Sequence, residues 1–439
     1  MKRFQKIFTI ALLALIPVMS NAQNGSSSSY SRFGLGTMAE QSQTFNRAMG
    51  GVAYGLRTGS RVNMLNPASY SCIDSLSFLF DVGMSGNFGR LSANGATETS
   101  RNATLTNINA GFHVAKNLGM SFGFMPYSTI GYTFANKSNV GSTYPADQKI
   151  TRTDTYTGQG GIQQLYIGAG WKPFADLSIG VNISYLWGTY NHTVSQLYST
   201  NGTTNTDFSS STLIYDSDLS TYKLDFGVQY PIRISKQDWL TVGATYSYGH
   251  KLGSDVTRSH YTSQGDTTTY VADKPFSMPH TIGVGLGWMH KNNLLIGVDY
   301  TLEKWADCTA PSLGNESSQP FVSQKGLYTD RTKIAAGVEF IPNPESRNYM
   351  ETVKYRLGFN YATPYTKVNG HDGPTEYRAT LGFGLPLQTR RLGGRSTINI
   401  SAEWLHRKPS VSTLIKENYI ILNVGLLFNE KWFMKWKID

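Results

Sequence analysis

Two cysteines and eight histidines hold most of the sequence's capacity for redox or metal chemistry. The histidines show no H-x-x-x-H or comparable ligand spacing, so no metal site is expected. Cys72 and Cys308 could be joined only in an oxidising compartment, and only if the fold brings their Cα atoms within about 7 Å. Gly283-Val284-Gly285-Leu286-Gly287 has the glycine spacing of a nucleotide-binding loop. Such a loop follows a strand and opens a helix, whereas these glycines alternate with large apolar residues. No hydrolase elbow of the G-x-S-x-G type and no cofactor is expected, and the chain reads as a non-enzyme.

The elements around these residues point to a membrane. Lys2, Arg3 and Lys6 precede an apolar stretch from Ile7 to Met19, and Ser20-Asn21-Ala22 offers small residues for cleavage before Gln23. Residues 1–22 are therefore expected to be a signal peptide. Beyond them no run of about eighteen apolar residues is present, which leaves no transmembrane helix. The composition is nonetheless unusual for a soluble domain, with 44 Gly, 26 Tyr, 21 Phe and 8 Trp but only 15% charged residues. Glycine suits a crowded lumen, and aromatics suit the girdles of an outer-membrane barrel. The formal charge is +10, of which three charges belong to Lys2, Arg3 and Lys6, leaving +7 on the exported chain. Its Lys and Arg are scattered without interleaved aromatics, so nucleic acid is not an expected partner.

Alternation carries the fold. Leu177, Ile179, Val181, Ile183, Tyr185 and Trp187 alternate with Ser178, Gly180, Asn182, Ser184 and Gly188. Ile282, Val284, Leu286 and Trp288 enclose Gly283, Gly285 and Gly287, and Tyr377, Ala379, Leu381, Phe383 and Leu385 enclose Arg378, Thr380, Gly382 and Gly384. A period of two with one apolar and one small or polar face fits strands between lipid and a lumen. The pattern predicts fourteen strands, near 75–90, 104–114, 118–135, 158–172, 176–195, 211–232, 238–262, 268–290, 294–307, 329–341, 352–366, 374–387, 396–408 and 415–428.

The links alternate as such a barrel requires. Short turns fall at Ala115-Lys116-Asn117, Pro173-Phe174-Ala175, Ser235-Lys236-Gln237 and Lys291-Asn292-Asn293, with longer ones at Asn343 to Tyr349 and Arg390 to Gly394. Long polar links, expected outside the cell, are Ala135 to Tyr156, Ser199 to Ser210 and Ala310 to Tyr328. An even strand number places both termini in the periplasm, and it places Cys72 and Cys308 at opposite faces as free thiols. A soluble sandwich would have to bury Asp81, Lys223, Asp225, Asp299, Glu339, Arg356, Arg378 and Glu403 in a dry core at high cost. In a barrel these residues face the lumen. The last strand ends on Phe428, like a barrel-assembly signal, but residues 429–439 follow it as a basic periplasmic tail.

Residues 23–74 lack a clean strand pattern. Here Gly34-Leu35-Gly36, Ala48-Met49-Gly50-Gly51-Val52-Ala53 and Asn66-Pro67-Ala68 resemble the FadL-type outer-membrane transporters of long-chain fatty acids and other hydrophobic compounds. The resemblance implies a plug within a fourteen-stranded antiparallel transmembrane β-barrel, an all-β fold with the barrel at 75–428. Candidate plug residues are Phe33, Leu35, Met38, Asn66, Pro67 and Ala68. Pro126 falls in the middle of the third strand, where proline removes a ladder donor, with Gly123 and Gly131 on either side. In the resembling family a kink there opens the wall, so Gly123, Pro126 and Gly131 are candidates for a lateral ligand path.

Two functions follow as expectations. One is passive uptake of a hydrophobic small molecule such as a long-chain fatty acid, leaving sideways into membrane lipid. The other is an accessory role beside other outer-membrane proteins in a secretion or assembly complex, with the loops rather than the lumen as the working surface.

Overall fold

The computed structural model describes residues 28–431 except 94, 144–147, 201–202, 205–209, 313–320 and 388–395. The expected signal peptide, the link from Arg390 to Gly394 and residues 432–439 of the tail lie outside the described residues.

Fourteen antiparallel strands form the wall: β1 Ser77–Ala93, β2 Ala96–Ala115, β3 Leu118–Thr143, β4 Gln148–Phe174, β5 Leu177–Thr200, β6 Ser211–Arg233 and β7 Asp238–Ser247. The ring continues with β8 Thr281–His290, β9 Leu294–Glu303, β10 Arg331–Phe340, β11 Lys354–Ala362, β12 Thr375–Pro386, β13 Thr397–Lys408 and β14 Lys416–Lys431. Pairing of β1 with β14, from Ser77 opposite Lys431 to Ser92 opposite Lys416, closes it. This is a closed transmembrane β-barrel. Ile183, Tyr185, Val284, Leu286, Leu381, Ile420, Leu422 and Val424 are exposed on its outside, while Asp81, Asp225, Asp299, Glu339, Arg356, Arg378 and Glu403 are buried within. The face assignment read from sequence parity therefore stands. Asn429–Lys431 prolong β14 instead of beginning the tail.

At one end the strands are joined by tight turns, in which Asn117, Ala175, Lys291 and Asn292 take the left-handed backbone. At the other end the wall is lopsided. Strands β3 to β6 have 26, 27, 24 and 23 residues, whereas β8 to β11 have 10, 10, 10 and 9. Crossing a bilayer takes about 9–11 residues, so β3 to β6 run far past the short strands on the long-link side. This corrects three expectations. The segment Ala135 to Tyr156 is mostly strand rather than loop, β2 starts at Ala96, and β1 runs on to Ala93. Thr97, Thr99, Thr151, Thr153 and Thr155 are β-branched and favour extended backbone without showing lipid-facing alternation. A fourth correction concerns 238–262 and 268–290, each of which breaks in two. Val256–Thr262 leaves β7 and pairs with the upper part of β6, and Thr267–Ala272 pairs with it in turn. Gly249 and Gly253 lie in the first break, and Pro275 and Pro279 in the second, where a continuous ladder is disfavoured.

Inside the ring lies the segment from Ser28 to Asp74, with little regular structure: two short 3-10 turns, Ser29–Arg32 and Pro67–Cys72, the helical turn Thr44–Arg47 and a two-residue strand, Thr37–Met38. Among the described residues no helix is long and apolar enough to cross a membrane.

Candidate functional site

Every wall strand except β13 turns a glycine toward the lumenal segment. A Cβ at Gly358 would lie 2.0 Å from the Gly50 nitrogen, at Gly180 2.3 Å from the Pro67 carbonyl carbon, and at Gly243 1.9 Å from the Tyr54 oxygen. Gly119, Gly170, Gly227, Gly287, Gly337, Gly382 and Gly425 meet the same segment equally closely. On β13, Asn399 reaches it instead, donating to Thr44 Oγ1 at 3.3 Å. The glycines that imitated a nucleotide loop thus form part of a ring that lets one backbone lie directly against another.

Polar side chains fix the segment on this seat. Asn360 Nδ2 donates to the Gly50 oxygen at 2.8 Å, Gln229 Nε2 to the Tyr54 oxygen at 2.9 Å, and Asn182 Nδ2 to the Met64 oxygen at 2.9 Å. Asp299 accepts from the Ala53 and Tyr54 amides at 2.5 and 2.9 Å. Glu339 is shared by Arg61 at 2.5 Å and Arg356 at 2.6 Å, and Arg378 pairs with Glu403. Lys333 grips Glu40 at 2.8 Å. Burial opposes ionisation of Glu40, but Lys333, Arg378 and Arg47 overcome it and hold the carboxyl down at about 2.

The residues expected in a plug separate into two groups. Asn66 caps the turn Pro67–Cys72 through its bond from the Ala68 amide, and its Nδ2 donates to the Tyr54 and Val228 oxygens. Pro67 and Ala68 press on Gly180, so Asn66, Pro67 and Ala68 anchor the segment against β5 and β6. Leu35 is fully buried on the long-strand side, in an apolar cluster with Ile130, Leu186, Tyr190 and Leu213 of the wall. Leu252, Phe276, Trp305 and Phe321, from the links above, fold inward to join it, and Met38 packs at its margin. Phe33 is half-buried, and its oxygen accepts from Tyr365 at 3.4 Å. Tyr365 in turn stands 4.7 Å from the Trp305 ring. Between the two groups remains a cavity of about 140 Å³ lined by Glu40, Lys223, Asp225, Asp299, Arg331, Lys333 and Arg378.

Pro126 marks a break in the wall. The ladder between β2 and β3 ends at Ile108 opposite Phe124, and among the described residues no strand pairs with β2 from Ala96 to Asn107 on that side. The register of β3 on β4 shifts between Pro126 and Ser128. Past the break Thr37 and Met38 add to β3 opposite Thr129 and Ser128, and Gln41 Nε2 donates to the Pro126 oxygen at 2.8 Å. Gly123 sits just before the break against Asn109 and Tyr166. Gly131 lies beyond it, with both backbone groups bonded to Ser31 Oγ. Sequence reading missed Gly160 and Gly161 on β4, opposite Ile130 and Thr129, with φ of +121° and +127°. Two consecutive glycines within a strand segment were the available signal. A cavity of about 670 Å³ opens in the break.

Two other motifs are accounted for. Gly119-Met120-Ser121-Phe122-Gly123 does spell G-x-S-x-G, contrary to expectation, but it lies within β3. There Ser121 bonds to the Ala110 oxygen and to Tyr166, not to a histidine at a strand-to-helix turn. Cys72 and Cys308 are free thiols; burial raises the pKa of both, that of Cys308 to about 12.

The same fold occurs in solved toluene transporters. TbuX of Ralstonia pickettii matches at a TM-score of 0.56 and 14% identity, covering 88% of this chain and 98% of its own. TodX of Pseudomonas putida matches at 0.57 and 15%, covering 90% and 99%. A Pseudomonas aeruginosa FadL homologue matches at 0.54 and 12%, covering 88% and 97%. At these identities the likeness establishes the fold. No curated protein matches. A family model described as BamG matches residues 4–439, and by that near-complete match the chain belongs to the BamG family.

Proposed function

We propose that this protein is an accessory barrel subunit of an outer-membrane protein secretion or assembly complex, with its surface rather than its lumen as the working part. The observation behind this reading is the filled lumen. The segment from Ser28 to Asp74 acts as a plug seated on the glycine ring, the apolar cluster around Leu35 closes the other half, and the charged cavity between them is small, about 140 Å³. Membership of the BamG family supports the same reading. In this proposal the short turns and both termini are periplasmic, and β3 to β6 rise outside the cell as a platform. The test is isolation of the chromosomally tagged protein in mild detergent. Partner polypeptides in fixed stoichiometry are expected, and a barrel that elutes alone would overturn the proposal.

A second reading is favoured by the break beside Pro126: passive passage of hydrophobic small molecules such as long-chain fatty acids, with lateral exit between β2 and β3 into membrane lipid. Its support is the 670 Å³ cavity there and the shared fold with barrels titled as toluene transporters. Labelled palmitate uptake into liposomes, compared between the intact protein and Pro126→Ala, discriminates the two. Carrier-mediated uptake slowed by the substitution supports transport, and rates equal to empty liposomes rule it out.

A further inference from the structure

The cavity at the break lies where a β-sheet ladder is missing. Thr97–Ser100 of β2 and Gly131–Phe134 of β3 line it from its two sides. Continuing the register in which Ile108 faces Phe124 would set these stretches opposite one another. Both strands are fully formed here, because β2 is paired to β1 and β3 to β4 along these residues. Among the described residues no strand pairs with either on the side that faces the cleft.

The edge of β3 has a defined polarity. Gly131 uses both its amide and its carbonyl toward the cleft side, where Ser31 Oγ meets them. Backbone groups alternate sides along a strand, so Thr133 and Ala135 direct theirs the same way, and both residues are exposed. This edge already accepts a strand: Thr37 and Met38 pair with Thr129 and Ser128, and the Ala39 amide donates to the Tyr127 oxygen at 3.0 Å. Gly36, with φ of +92° and no room for a Cβ beside the Thr129 oxygen, then turns the chain inward. The addition stops there; Ser31 takes Gly131, and among the described residues no strand pairs with Thr133 and Ala135 on this side.

An open edge is a template for another strand. A lipid chain offers no hydrogen bond to either row of amides, and Thr97, Glu98, Thr99, Ser100 and Gln159 make the lining half polar. We propose that the cleft between β2 and β3 docks an extended segment of a partner polypeptide, which adds as a β-strand to β3 at Thr133 and Ala135. This rests on the accessory-subunit reading and names where one partner binds.

The test uses the full-length protein in lipid nanodiscs, with a dye-labelled alternating Thr-Val decapeptide as probe and palmitate in a parallel arm. The peptide is expected to slow amide exchange at 131–137 at least tenfold. Thr133→Pro, which removes an edge donor while sparing the β4 side, is expected to weaken peptide binding at least tenfold, and Thr133→Val to bind as the parent does. Ala135→Pro serves as a second edge variant, and a heat-induced gel shift confirms that each barrel is folded. No slowing by the peptide, equal binding by both proline variants, or the same slowing by palmitate would overturn the proposal. The two readings fail separately. Partners fully retained by folded Thr133→Pro in cells overturn the cleft and leave the accessory role standing. Peptide protection with no partner recovered overturns the accessory role and leaves the strand affinity of the cleft standing.

Discussion

Ile108 and Phe124 form the last rung between β2 and β3. Two residues later Pro126 removes a donor from β3, and just past it the backbone of β4 opposite Thr129 and Ile130 passes through Gly161 and Gly160 in conformations that other residues rarely adopt. Features of both β3 and β4 thus accompany the break. Gly161→Val is expected to destabilise the barrel by about 1–3 kcal/mol, since its Cβ would lie 2.5 Å from the Ser128 oxygen. The temperature at which the folded band shifts on a denaturing gel should fall, and an unchanged temperature would mean that the glycine is not required.

The glycine seat makes a sharper demand. Gly358→Val is expected to displace the segment from Ser28 to Asp74, because even a Cβ there overlaps the Gly50 backbone. Limited proteolysis should then cleave within residues 28–74. Gly253→Ala, with nothing within 4 Å of its Cβ, is the matched control and should leave the digest unchanged.

Breaking the buried triad tests how the segment is held. Glu339→Gln leaves Arg61 and Arg356 without their shared carboxylate, and uncompensated buried charge costs about 3–5 kcal/mol. The midpoint of urea unfolding is expected to fall. Replacing all three residues with apolar ones of similar volume should restore part of the loss.

The ion pair between Glu40 and Lys333 sets a pH window. A carboxyl held at about 2 in the folded protein contributes stability that is fully present above its ordinary value near 4.5, and that is lost as pH falls through about 2. Thermal stability should therefore differ little between Glu40→Gln and the parent at pH 2, and the parent should be the more stable at pH 6. An equal difference at both pH values would exclude this ion pair as the source.

Much of this was legible in the sequence, and particular residues explain the rest. Ile179, Ile183 and Leu286 alternate with Ser178, Gly180 and Gly285 strongly enough to place the wall strands, and Pro126 announces the break by type alone. The upper parts of β3 and β4 resemble loop in the sequence because residues such as Thr151, Thr153 and Thr155 lack the apolar face that marks a membrane strand. The wandering of Val256–Thr262 from β7 to β6 depends on tertiary pairing that local periodicity does not encode. Partners such as Arg61 and Glu339, or Gly50 and Gly358, lie hundreds of positions apart. Their types were visible, but their convergence depends on closure of the ring.

The central claim, that this barrel works through its surface beside other outer-membrane proteins, is tested most directly by the composition of the particle it belongs to. Mass photometry of the endogenous complex, isolated from cells in mild detergent and followed by quantitative mass spectrometry, is the measurement. A particle well above the mass of the 48.5 kDa chain, with partners in fixed ratio, is expected. A monodisperse single barrel that carries labelled palmitate into liposomes would contradict it.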